Sequence, residues 1–137
     1  MMGSMKPVRL FLRLLFALFF IAAGVNHFRM PVFYERMIPT ALPYPAVLVA
    51  LSGACEILAG LLLIIPRLRR IAAWGIIALL IAVFPANVHM AAHPELFPEF
   101  SHRALLIRLP LQIVLIAWAW LYTRAEHTTV PNPIGEA

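Results

Sequence analysis

A single cysteine, Cys55, in 137 residues leaves no pair to oxidise and no Cys-x-x-Cys motif. A disulfide framework and membrane thiol–disulfide exchange are therefore both excluded. Charge is also scarce. Asp, Glu, Lys and Arg make up 12% of the chain against 63% hydrophobic residues, too apolar for a soluble domain of this size. No glycine-rich phosphate loop and no nucleophile motif is present, which removes the common nucleotide-binding and hydrolase signatures. No linker or low-complexity segment divides the chain, whose length suits one domain.

The excess of eleven Lys and Arg over six acids would suit nucleic acid, but the placement of the cations argues otherwise. Lys6 and Arg9 precede the first apolar run and Arg13 lies in its first turn, Arg67, Arg69 and Arg70 separate the second from the third, and Arg124 follows the fourth. This positive-inside pattern puts both termini and the Arg67–Arg70 turn in the cytoplasm. The partner it implies is a lipid bilayer with anionic headgroups, and no nucleic acid.

The apolar runs predict an all-α, polytopic membrane four-helix bundle, with helices over about residues 8–27, 45–65, 70–89 and 103–122. They form one transmembrane domain over 6–123, flanked by a flexible start (1–5) and a flexible cytoplasmic tail (124–137). A short interfacial helix is expected in the first outer loop. Pro31 suits its first position, and Pro39 halts it by disfavouring the helical conformation at Ile38. Leu10 to Val25 could mimic a signal peptide, but Ile21 is a poor −3 residue for cleavage after Ala23. The run reads as a retained helix, with Arg13 reaching back to the cytoplasmic interface. Trp74, Trp118, Trp120 and Tyr122 fall where an inner aromatic belt is expected. Pro85 should kink or loosen the last turn of the third span.

Glu56 is the only charge between Pro45 and Ile65. As a helix that run spans about 31 Å and places Glu56 about 16 Å deep, near the midplane. A carboxylate there costs roughly 2.5–3.5 kcal/mol on insertion scales unless it finds a partner, a water-filled cavity or a proton. Gly53 and Gly60, with Ser52 and Ala59 beside them, put Glu56 on the small-residue face, which packs against neighbouring helices. Gly75, Ala78, Ala82 and Ala86 form a second such stripe.

Arg108 and Gln112 share a face of the fourth span, at about the depth of Glu56, and a Glu56–Arg108 ion pair is the economical solution for both charges. Such a pair could also be purely structural, fixing helix register. Asn26, His27, Asn87 and His89 close the outer end of the same space. On an unbroken helix Asn87 and His89 differ by about 200°, so only one faces inward unless Pro85 relaxes the geometry. The ligand-binding candidates are thus Asn26, His27, Glu56, Asn87, His89, Arg108 and Gln112. His89 and His93 have metal-ligand spacing, but Pro94 and the lack of a third ligand argue against a metal site.

The run Gly24-Val25-Asn26-His27-Phe28, then Pro31-x-Phe33-Tyr34, Ile38-Pro39 and Leu42-Pro43, resembles the DoxX-like family of small bacterial membrane proteins. So do Ser52-Gly53-x-x-Glu56-x-x-x-Gly60, Pro66-Arg67, Phe84-Pro85-Ala86-Asn87, and Arg108 with Gln112. The resemblance covers roughly Val8 to Tyr122. It implies a four-helix bundle in the bacterial cytoplasmic (inner) membrane and an association with quinone-linked oxidoreductases. Two classes of function follow. In one, the bundle binds a quinone as accessory subunit of an oxidoreductase, with electrons from a redox partner protein because the chain has no cofactor motif. In the other it is a non-catalytic membrane scaffold, or a binder or carrier of a small solute, with a structural Glu–Arg core.

Overall fold

The computed structural model describes residues 5–125 and is all-helical, with no strand among them. Its helices are α1 (Met5–Arg29), α2 (Pro31–Met37), α3 (Pro45–Ile64), α4 (Arg69–Ala92) and α5 (His102–Thr123), with a single 3-10 turn at Pro94–Leu96. All but α2 are long and apolar enough to cross a membrane, so this is a multi-pass membrane protein with four spans. Many of the residues facing outward along them are large and apolar, which suits hydrocarbon and would be a liability in water. Most of the expected flexible flanks, residues 1–4 and 126–137, lie outside the described residues.

Prolines set several boundaries. Pro31 and Pro45 open α2 and α3, where a missing N–H costs nothing. Ile38 and Ile65 turn extended ahead of Pro39 and Pro66, ending those helices. Pro85 and Pro110 sit inside α4 and α5 without ending either. The third span consequently continues past His89 to Ala92, beyond its expected end. At the start of α5 the Ser101 hydroxyl accepts a hydrogen bond from the Ala104 N–H at 3.2 Å, an N-cap.

The spans form a ring in which α1 packs on α3, α3 on α4 and α4 on α5, while aromatic side chains join α1 to α5. In this ring α3 and α5 stand diagonally. The α1–α3 seam is the tightest, because glycines let the two backbones meet. A Cβ added at Gly24 would lie 2.5 Å from the Gly53 carbonyl oxygen, and one at Gly60 2.8 Å from that of Ala17. This is the small-residue packing expected of the Glu56 face. The second stripe behaves differently: a Cβ at Gly75 would meet nothing within 4 Å.

At the end that carries the arginine turn, Arg69 donates to the Arg124 carbonyl at 3.1 Å and Arg70 to that of Thr123 at 2.9 Å. These bonds satisfy carbonyls at the end of α5 that have no helical partner. Trp118 and Tyr122 do not join an interfacial belt there. They turn inward, bond to each other at 2.9 Å and lie against Phe16, with the Trp118 ring stacked on it at 4.5 Å. Trp120, two residues on and so on another face, stays exposed beneath the Arg124 guanidinium.

At the opposite end α2 forms a roof. Met37 is buried with Ala86, Met90, Phe97 and Leu105. Arg36 straps this roof down, donating to the Leu96 carbonyl and to Glu99, each at 2.7 Å, with its guanidinium over the Phe33 and Phe97 rings. Glu99, outside the spans, is held below its ordinary carboxylate value by its own backbone N–H and then by Arg36.

Candidate functional site

Beneath the α2 roof the helices part around a cavity of about 350 Å³. Five of the seven sequence candidates line it: His27, Glu56, Asn87, Arg108 and Gln112. Phe19, Phe20, Val49, Leu80, Val83, Leu111 and Leu115 give it apolar walls. It combines hydrocarbon surface with a few convergent polar groups, as sites for amphipathic small molecules do.

The α1–α3 seam places Glu56. A Cβ at Gly53 would lie 2.7 Å from the His27 Cβ, and one at Gly24 would meet Ile57, so Glu56 sits opposite the Gly24–His27 turn. That is nearer the α2 end of α1 than counting from Pro45 alone suggests. Glu56 is 8% exposed, and its Oε2 lies 3.5 Å from His27 Nδ1. That nitrogen donates to the Ala23 carbonyl at 2.9 Å, so Oε2 is buried without a hydrogen bond of its own.

The expected Glu56–Arg108 pair is not formed. Among the described residues the ionic neighbour of Glu56 within 4.0 Å is His27. The reason is topological: Glu56 and Arg108 stand on diagonal helices, and the cavity lies between them. Arg108 has no hydrogen-bond or ion-pair partner among the described residues, and its Nε is buried. The Glu–Arg core proposed for the scaffold alternative is therefore a His–Glu contact on one side and an unpartnered guanidinium on the other.

Gln112, 3% exposed, is engaged at both ends of its amide. Its oxygen accepts from Asn87 Nδ2 at 2.7 Å, and its nitrogen donates to the Leu80 carbonyl. Leu80 precedes Ile81, whose carbonyl loses its helical donor to Pro85, so the amide supports α4 where its own ladder is weakened. Gln112 and Asn87 are in the first place a clasp between α4 and α5.

The two remaining candidates lie outside the cavity wall. Because α4 is unbroken, Asn87 faces inward and His89 does not; the His89 ring instead lies 4.3 Å from that of His93. Asn26 stands behind the wall and donates to the Tyr34 hydroxyl at 2.9 Å. Tyr34, from α2, is the residue that sequence reasoning did not place in the site. It lines the cavity, and its ring stacks on His27 at 3.8 Å. Since its oxygen accepts from Asn26, its own hydrogen remains free to donate. The available signal was its position on α2, one residue from the hydrophobic Phe33. Ser52, read only as a small residue, also lines the cavity.

Fold and site together define a small multi-pass helical membrane protein with a mixed polar and apolar cavity between its spans. The chain belongs to the family described as a domain of unknown function (DUF8561), which matches residues 16–123 and so nearly all of the bundle. No curated protein and no solved structure matches it.

Proposed function

We propose that the bundle binds a quinone, or a similar amphipathic ring, in this cavity and serves as an accessory subunit to a membrane-associated oxidoreductase. One observation carries the reading. Among the described residues, a donor without a partner, Arg108, and a buried acceptor without a hydrogen bond, Glu56 Oε2, stand on diagonal helices across one apolar-walled cavity. A ring with an oxygen at each end complements that arrangement. Arg108 or the Tyr34 hydroxyl would donate to one oxygen, Glu56 would accept from the other in the quinol form or, as the protonated carboxyl, donate to it in the quinone form, and Phe20, Leu80 and Leu115 would flank the ring. A bound quinone supplies two-electron redox chemistry. The chain supplies orientation, exclusion of water and a carboxyl that can pass protons. The electrons come from a partner protein carrying its own redox cofactor. The resemblance to DoxX-like proteins supports the same reading, while the family match carries no activity with it.

The test is a titration of the purified protein with benzoquinones and naphthoquinones, read as a ligand-induced thermal shift. A saturable shift is expected in the wild type. Arg108→Gln should weaken it about tenfold to a hundredfold, the loss of a hydrogen bond from a charged donor. No saturable shift with either quinone type would defeat the reading. A scaffold role is favoured by one specific feature, the Asn87–Gln112–Leu80 clasp, which spends polar groups on helix packing.

The proposal also places the protein in a bacterial inner membrane with the arginine turn and both termini in the cytoplasm. The support is the gathering of Arg67, Arg69, Arg70 and Arg124 at one end. Single cysteines at positions 68 and 98, in a Cys55→Ser background, report it. Position 98, exposed in the same outer loop, should label from outside intact cells and position 68 should not; the reverse would overturn the orientation.

A further inference from the structure

The cavity is not equally closed on all sides. Glycine contacts seal the α1–α3 seam, and the Asn87–Gln112 clasp joins α4 to α5. Helix α3 packs on α4, and the strapped α2 roof, with Met37 in a buried cluster, covers the end. The α1–α5 seam is different in its two halves. Toward the arginine end, Phe16 stacks on Trp118 and lies beside Tyr122, closing it. Toward the α2 end, no ring contact or hydrogen bond among the described residues bridges the two helices. There the cavity is lined from α1 by Phe19, Phe20 and Ala23 and from α5 by Arg108, Leu111 and Leu115. Phe19 and Leu111 line the cavity and yet are each 50% exposed, so they stand on a rim that faces the bilayer. The two helices are antiparallel. Counting seven residues along each from the Phe16–Trp118 pair sets Leu111 level with Ala23, a bulky residue opposite a small one.

We infer that the cavity opens sideways into the bilayer, through the α1–α5 seam in the half nearer α2. Its ligand is then a membrane-dissolved amphiphile whose polar head reaches Arg108 and Glu56 while its hydrocarbon tail lies between Phe19, Ala23 and Leu111. This deepens the ligand-binding reading and rests on it, since it specifies the class of molecule and the seat of its tail. The geometry suits such a ligand for two reasons. The rim is wholly apolar apart from Arg108, so a tail loses nothing by leaving lipid for the seam. Arg108 stands on the rim helix at the level where the head must pass, and among the described residues it has no partner to displace. A water-dissolved solute would instead have to cross the α2 roof and its Arg36 strap.

The experiment compares two probes on protein in lipid nanodiscs: a decyl-tailed dimethoxy-methyl-benzoquinone and the same head without a tail. Wild type is tested beside Leu111→Trp and Phe19→Trp, which crowd the rim from opposite sides. Both positions are half exposed, so the fold should tolerate the change; the thermal stability without ligand checks this for each variant. Each substitution is expected to weaken the tailed probe about tenfold or more by steric clash, while the tailless head stays within about threefold of wild type. Equal weakening of both probes, or no weakening of either, would overturn the seam as the seat of the tail. Wild-type protein that binds neither probe would defeat the ligand reading itself, and with it this inference.

Discussion

The same substitution, glycine to alanine, should have opposite effects at two positions of this bundle. At Gly24 an added Cβ would lie 2.5 Å from the Gly53 carbonyl oxygen and 2.9 Å from the Ile57 nitrogen. Both are backbone atoms of the facing helix, so neither can swing aside, and α1 must move away from α3. Gly53→Ala meets the His27 Cβ at 2.7 Å and the Gly24 oxygen at 3.0 Å, with the same consequence. Overpacking of this kind costs about 1–3 kcal/mol, and Gly24→Ala should lie at the upper end. At Gly75 the added methyl meets nothing within 4 Å, so only backbone propensity remains, and alanine should stabilise by up to about 1 kcal/mol. Reversible unfolding in mixed micelles measures all three. Because Gly53 abuts His27, Gly53→Ala should also loosen the His27–Glu56 contact and weaken any quinone binding. The packing reasoning fails if Gly24→Ala is neutral, or if Gly75→Ala costs as much as Gly24→Ala.

Three further outcomes follow from the polar contacts. Double-mutant cycles should show Glu56→Gln coupled to His27→Gln by about 0.5–3 kcal/mol, and additive with Arg108→Gln within about 0.5 kcal/mol; coupling to Arg108 instead would mean that the two meet across the cavity. Gln112→Leu should cost about 1–3 kcal/mol, because Asn87 Nδ2 and the Leu80 carbonyl lose their partner, and combining it with Asn87→Leu should cost less than the two losses added; a neutral Gln112→Leu would show that the clasp carries no stability. Glu99 titrates below its ordinary value in the fold, so its contribution is complete above the ordinary carboxylate range and is lost as pH falls through the lowered value. Hydrogen exchange around residues 94–100 should therefore rise in acid, and Arg36→Gln should already show much of that rise at neutral pH; indistinguishable exchange of the two proteins at neutral pH would refute the strap.

Local rules were enough for much of the architecture. Four apolar runs of spanning length specify four helices, because unsatisfied backbone in hydrocarbon leaves few alternatives. Pro31, Pro39, Pro45 and Pro66 fix boundaries through the restricted geometry of proline and of the residue before it. The three-and-four spacing of Gly53, Glu56 and Gly60 established that the acid faces a neighbouring helix. The 200° offset between Asn87 and His89 separated the residue that faces the cavity from the one that does not, once α4 proved to continue through Pro85. The sequence could not say which neighbour Glu56 meets. Depth counted along each helix put Arg108 within reach, but depth says nothing about the order of helices around the ring. The glycine contacts decided that order: they bring α1 so close to α3 that His27 arrives beside Glu56, while α5 is left on the diagonal with the cavity in between. The same arrangement turned Gln112 from a candidate donor into a clasp for α4 and brought Tyr34 from the roof over His27. Secondary structure here follows from chemistry local to each segment. The site follows from which helices share a seam, a property of the packed bundle that no single segment carries.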